Sequence, residues 1–309
     1  MGIPVTVYKS TDADAPQLAG GRGDLKTVIK ACLVAGFGSG ANRKEPLGWQ
    51  IVAGTESADG FDCAFRPTAP DSGGHIIKII GTSTQSATVQ AFFDTDASGA
   101  LIEQTPTVPD FPVWVQANRP IDWILVGHHR SFILLLHDTG ITGDDNNVAG
   151  GTGAALFFGE MPDRINNPRG NTLFFRIYSN QYTFGRAYMS IADFWDGKYS
   201  YISQSVDGLT KWVQTKPHSM FGVNCVGFSP INSELVYTKI GMTSGGAFRG
   251  FLPFGYHVHH RLPASENWKY KTIDGVEYLL TNCSNGQTTA AGWGEGTVYM
   301  LINLTEWDC

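Results

Sequence analysis

The densest run of side chains able to hold a metal or move a proton is His257-Val258-His259-His260. On a strand, His257 and His259 point to one face about 7 Å apart, a spacing that suits a metal preferring imidazole. No third ligand stands at a recognisable spacing, and neither neighbourhood carries an HExxH signature. The plainer reading is a strand packed near Tyr256 and Trp268 with solvated imidazoles. A second pair, His128-His129, lies beside Arg130 between two apolar runs. A general base there needs a nucleophile or a second acid close in space, and residues at a turn are ordinarily solvated. The acid pairs Glu160 with Asp163 and Asp193 with Asp196 have the residue types of glycoside hydrolysis, yet carboxylates at such short spacing are common and nothing selects these.

Other motifs carry less. Gly36-Phe37-Gly38-Ser39-Gly40 follows a helical pattern, whereas a dinucleotide fingerprint must precede one, and Gly150-Gly151-Thr152-Gly153 lacks the lysine of a phosphate loop. Both read as loops. Asp144-Asp145-Asn146-Asn147 offers oxygens to a hard cation without the spacing of an EF-hand. Arg22-Gly23-Asp24 reads as a turn into a helix start. No GxSxG nucleophile elbow occurs. The sequence assigns no catalytic, cofactor-binding or metal residue, and leaves an ion open at His257, His259 and His260 and at Asp144 and Asp145.

The elements that position these residues are mostly strands. One stretch reads as a helix: in residues 24–35, Leu25, Val28, Ile29, Cys32 and Leu33 recur at i, i+3, i+4, i+7 and i+8, a single face. Asp24 is its expected N-cap and Gly36 its stop. Segments 190–195 and 219–226 fit either helix or strand. Nearly everything else consists of β-branched and aromatic runs cut by Gly, Pro, Asn and Asp. These place strands at 49–53, 61–65, 75–81, 87–93, 112–116, 155–158, 172–178, 235–240, 256–260, 277–282 and 297–304, with Val5-Thr6-Val7-Tyr8 as an edge strand. The clearest hairpin runs Trp123-Ile124-Leu125-Val126 against Phe132-Ile133-Leu134-Leu135-Leu136, turning at Gly127-His128-His129-Arg130. Both arms are almost continuously apolar, so the hairpin is expected to be covered on both faces.

The expectation is therefore a mainly β (α+β) protein, with antiparallel β-sandwich or barrel-like domains and one short helix near the amino terminus. Segment 94–110 is polar and Pro-bearing and reads as a linker. It suggests a helix-bearing β module at 1–105 and a larger β domain at 106–309. Segment 138–153 reads as a long exposed loop.

Composition bounds the function. At 309 residues the chain buries roughly 75% of its unfolded surface, so no disulfide or metal is needed for a core. The longest apolar stretch, residues 132–136, is far below the roughly 20 residues that span a bilayer. No secretory leader is visible, and Gly2 with Thr6 matches the myristoylation pattern only loosely. The five cysteines form no CxxC pair and read as buried thiols of a protein folded in a reducing cytoplasm. A net charge of −6 argues against a general nucleic-acid binder. Charged residues are only 16%, against about 25% in ordinary soluble proteins. Part of the surface must then be solvated by Ser, Thr, Asn and Gln, or covered by other subunits.

The whole string then adds a resemblance. Tyr8-Lys9-Ser10-Thr11-Asp12 through Pro16, followed by Ala31-Cys32-Leu33-Val34-Ala35-Gly36-Phe37-Gly38 and Gly48-Trp49, resembles the opening of a family of virion structural proteins of tailed bacteriophages and prophages. Arg119-Pro120-Ile121-Asp122-Trp123 leading to Arg130-Ser131-Phe132 is similar to that family's hairpin. Phe157-Phe158-Gly159-Glu160 and Arg249-Gly250-Phe251-Leu252-Pro253 also match its strings, in the expected order. The chain departs from the family at His128-His129, where acidic residues are usual, at Phe254, where glycine often follows the proline, and across residues 166–216. The resemblance implies a non-enzymatic structural subunit of the tail or head–tail region, made in the bacterial cytoplasm and residing in the virion. Its partners would be copies of itself and neighbouring virion proteins, with no cofactor, nucleic acid or membrane. The alternatives are a capsid decoration protein, or a tail-tip protein that binds or depolymerises host glycans, which eight Trp and eleven Tyr suggest. The expected contact arms are the amino-terminal segment to Gly21, the loop 138–153 and the carboxyl-terminal strand through Trp307.

Overall fold

A computed structural model describes residues 2–19, 21, 23–57, 60–81, 86–106, 108–112, 121–137, 152–161, 172–178, 200–206, 209–218, 235, 237–258, 268–282 and 299–308. The apolar stripe of residues 24–35 forms helix α1 (Asp24–Lys30), continued by a wider π turn at Ala31–Ala35. Leu25, Val28, Ile29, Cys32 and Leu33 are all buried, as their spacing requires. Gly36, at φ 69°, ends the helix, and its N–H donates to the Ala31 carbonyl at 2.7 Å. The N-cap is Gly23 and not Asp24. Asp24 is the first helical residue, and its carboxylate instead accepts from the Ala19 and Gly21 N–H groups, each at 2.8 Å, tying down the loop that enters the helix.

The strands follow in chain order, and chain order nearly reproduces the layers. The amino-terminal segment gives β1 (Ile3–Pro4) and β2 (Thr6–Lys9). The first sheet contains β3 (Trp49–Ser57), β4 (Gly60–Pro67), β5 (Ile76–Gly81), β6 (Ser86–Thr95), β7 (Leu101–Gln104) and β8 (Val108–Pro112). The second contains β9 (Asp122–His128), β10 (Ser131–His137), β11 (Thr152–Glu160), β12 (Thr172–Tyr178), β13 (Ser200–Val206) and β14 (Leu209–Gln214), with β2 added at its edge beside β9. The third contains β15 (Lys216–His218), β16 (Tyr237–Ser244), β17 (Ala247–Val258), β18 (Lys269–Ile273), β19 (Val276–Asn282) and β20 (Tyr299–Asn303). Finally β21 (Glu306–Trp307) pairs with β1. Among the described residues all strand pairs are antiparallel and no sheet closes into a barrel.

The second sheet lies in the middle because its strands are apolar on both faces. Side chains alternate along a strand, and the alternation sorts them into two cores. Trp123, Leu125, Phe132, Leu134, Leu136, Leu156 and Phe158 pack with α1 and with Trp49, Phe65, Ile77 and Val89 of the first sheet. Ile124, Val126, Ile133, Leu135, Ala155 and Phe157 pack with Ile240, Phe254, Leu279 and Ile302 of the third sheet and with Trp307. The hairpin is thus covered on both faces, as its composition requires.

Segment 94–110, expected as a linker, is instead structured. The chain turns at residues 96–100 into β7, and β8 then returns along β6. The first apolar core takes residues from both sides of position 105, because Tyr8 and α1 pack in it with β9 and β10. Two of the expected contact arms are bound into their own chain. β2 pairs with β9, Leu18 bridges to Ile121, and the Trp123 indole N–H donates to the Pro16 carbonyl at 3.0 Å. At the other end Trp307 is fully buried. Positions 113–116, 190–195, 219–226 and 138–151 lie outside the described residues, whereas Thr152 and Gly153 open β11 rather than belonging to a loop.

Candidate functional site

Of the polar groups singled out by sequence, the structure gathers one set, at the tip of the β9–β10 hairpin. His128 pairs with Ser131 across the strands, so the turn contains only His129 and Arg130. Two-residue hairpins usually need positive φ in the turn, but neither residue adopts it. Hydrogen bonds hold the turn instead. The Arg130 N–H donates to Nδ1 of His128 at 3.2 Å, and the Arg130 guanidinium reaches Asp71 Oδ2 at 3.1 Å and Glu160 Oε2 at 3.6 Å. His129 Nε2 stands 4.0 Å from Asp71 Oδ1.

Three elements meet here. Asp71 and Gly73 come from the β4–β5 connection, and the Gly73 N–H donates to Oε1 of Glu160. Glu160 ends β11, beside β10. Its own N–H donates to Ser131 Oγ at 2.9 Å. The two strands approach so closely that a Cβ at Gly159 would stand 2.2 Å from Ser131 Oγ, so only glycine fits. Arg130 and Glu160 are both buried, so their pairing runs through little solvent and is stronger for it.

His128 is 3% exposed, with the rings of His129 and Trp307 each 5.5 Å away. Desolvation, then the proximity of His129 and of the Arg130 cation, push its pKa down to about 3, against the pull of Asp71. The imidazole is therefore neutral near pH 7, and its Nδ1 accepts from the Arg130 backbone.

This arrangement holds parts together. Ser131 Oγ is engaged with the Glu160 main chain on both counts, accepting from N–H and donating to the carbonyl at 3.5 Å, which is not how a base-activated nucleophile is held. Glu160 accepts from Gly73 and faces Arg130, so its oxygens are committed. The cluster fastens the first sheet and the carboxyl-terminal strand to the tip of the central hairpin. A second junction joins the same two sheets: His75 Nδ1 lies 3.1 Å from Thr172 Oγ1, the His75 ring packs 4.7 Å from Phe93 and 5.6 Å from Trp212, and the Trp212 indole donates to the Glu103 carbonyl.

Of the remaining metal and acid candidates, the structure describes His257 alone. His257 is buried on β17, opposite Thr238 on one side and Met300 on the other. His259, His260, Asp144, Asp145, Asp163, Asp193 and Asp196 lie outside the described residues. Among the described residues no three His, Cys, Asp or Glu side chains converge as a metal site. Gly36, Gly38 and Gly40 form a loop of left-handed residues closed by the Phe37–Lys44 bridge. Sequence reasoning missed Asp71, Gly73 and His75. The signal available was the turn-forming Asp71-Ser72-Gly73-Gly74 between two strands.

No family model matches the chain, and a search of curated proteins found no significant match.

Proposed function

We propose that the chain is a structural subunit of a tailed-phage particle, of its tail or head–tail region, that acts by assembling with copies of itself and with neighbouring virion proteins, and that it is not an enzyme. The observation that carries this reading is the fate of the one polar cluster gathered from the sequence candidates. His128, Arg130, Ser131 and Glu160 are spent on joining layers, which is what a rigid building block needs. The strings that resemble phage virion proteins support it too, because they supply the joints of the fold. Tyr8 and Trp123 are buried in one core, Phe157 and Leu252 in the other, and Arg130, Ser131 and Glu160 make the hairpin clamp.

The glycan-binding alternative has less in its favour. Sugar platforms present exposed indole or phenol faces, but Trp49, Trp123 and Trp307 are buried and Trp212 and Trp268 half-buried. Among the described residues no tryptophan is exposed.

The test is a mass-spectrometric inventory of washed particles. The protein is expected at a fixed, multiple copy number, and finding it only in infected-cell lysate would overturn the proposal. Incubation with host-surface polysaccharide is expected to release no reducing ends; cleavage abolished by one Asp or Glu substitution at unchanged stability would overturn the non-enzymatic part.

A further inference from the structure

An open sheet edge offers a row of unpaired backbone donors and acceptors to any passing strand, and proteins ordinarily blunt such edges with lysine, proline or brevity. Most edges in this fold are blunted in these ways. β2 has four residues and ends on Lys9, and β14 carries the exposed Lys211. β15 has three residues, one of them Pro217, and β18 alternates Lys269 with Lys271. On the far side of the first sheet β7 is short and β8 contains two prolines.

β3 is different. It runs nine residues, contains no Lys, Arg or Pro, and among the described residues pairs only with β4. Gln50, Ile51, Gly54 and Thr55 are exposed, Ile51 to 38%. Its one irregularity is a bulge at Val52, where the register against β4 slips between Ile51 and Ala53.

We infer that β3 is a self-pairing edge, at which two copies of this chain join their first sheets antiparallel about a twofold axis. The inference rests on the assembly reading and names its contact. The occupant follows from the edge itself. Only an extended strand satisfies a sheet edge, and under a twofold axis the same edge supplies it without a second complementary surface. Side-chain chemistry allows the pairing: centred on Ala53, it sets the exposed Ile51 opposite the exposed Thr55, so no like charges meet across that pair. The bulge then lies at the axis, and the regular run 49–51 of one copy meets 55–57 of the other.

The experiment uses two full-length variants, Ile51→Lys with Thr55→Lys and Ile51→Glu with Thr55→Glu, measured by sedimentation over a concentration series beside the wild type. The wild type is expected to dimerise or to form even-numbered assemblies. Each variant is expected to weaken that association by about 100-fold or more, since like charges oppose each other across the interface, and an equimolar mixture is expected to restore it. A wild type that stays monomeric, or variants that associate unchanged, overturn the pairing. In the second case the assembly reading stands with its contact elsewhere, and the particle inventory decides that reading separately. Should a variant not fold, amide exchange of the wild type decides: protection of residues 50–55 that rises with protein concentration supports the pairing, and protection independent of concentration overturns it.

Discussion

Acid should loosen this fold through His128, and the size of the effect follows from its site. The ring is 3% exposed and its pKa falls from 6.5 to about 3 on folding. A depressed base is neutral in the folded state, so the unfolded chain binds the proton first as pH falls. Stability is then undiminished above about 6.5, declines through the interval below it, and levels off near 3. At 1.36 kcal/mol per pKa unit the full effect is about 5 kcal/mol, and somewhat under half of it, about 2 kcal/mol, is lost between pH 6.5 and 4.5. The perturbation is His128→Asn, which keeps a side-chain acceptor near the Arg130 N–H and removes the titration. Urea unfolding of both proteins between pH 7.5 and 4.5, about 0.5 unit apart, gives two stability profiles whose shared contributions cancel on subtraction. The wild type is expected to lose about 3 kcal/mol more than the variant over that range. Profiles that stay parallel to within about 0.5 kcal/mol, the usual additivity error, would refute the assignment of a desolvated, neutral imidazole at the hairpin tip.

Three further outcomes are expected. Arg130→Ala strips the guanidinium from Glu160, whose side chain is only 8% exposed, and should cost about 3 kcal/mol; adding Glu160→Gln should recover part of that loss in a double-mutant cycle, and additive losses would mean the pair is uncoupled. Val28→Asp places a charge where the side chain is fully buried, so the melting temperature should fall by an amount equivalent to about 3 kcal/mol or more; an unchanged value would mean that this helix face is not packed. Trp307→Ala empties a fully buried site between Phe157, Phe254 and His128 and should cost about 3–5 kcal/mol in chemical denaturation, whereas a residue serving only as an intersubunit arm would cost the isolated chain almost nothing.

Where composition and packing pointed the same way, the sequence was readable. β9 and β10 are apolar at nearly every position, and only a layer between two others can bury both faces of such a hairpin. The helix was readable from one apolar stripe, though not its cap, because the Asp24 carboxylate turns back to the preceding loop. Strands β13, β14 and β18 escaped notice because Ser, Gln, Thr and Lys fill many of their positions and their neighbours define them. β7 and β8 were hidden by brevity and by Pro109 and Pro112, which an edge strand tolerates. At the hairpin tip His128, His129 and Arg130 were visible as a group, but sequence spacing set Glu160 beside Asp163, which lies outside the described residues. Asp163 is near in sequence, whereas Arg130 and Gly73 are near only in space, at separations of 30 and 87 residues.

The pairing of β1 with β21, Ile3 against Trp307, sets a timetable for synthesis. The two halves of that ladder leave the ribosome about 300 residues apart, which at translation rates of 5–20 residues per second is roughly 15–60 s. Throughout that interval β1 has no mate. Ile124, Val126, Ile133 and Leu135 also wait, as a naked apolar face, until the third layer arrives to cover them. The nascent chain is therefore most prone to sticking once the central hairpin has emerged and before β16 to β21 follow. A ribosome stalled in that window would leave a half-covered slab, a ready client for a holdase chaperone.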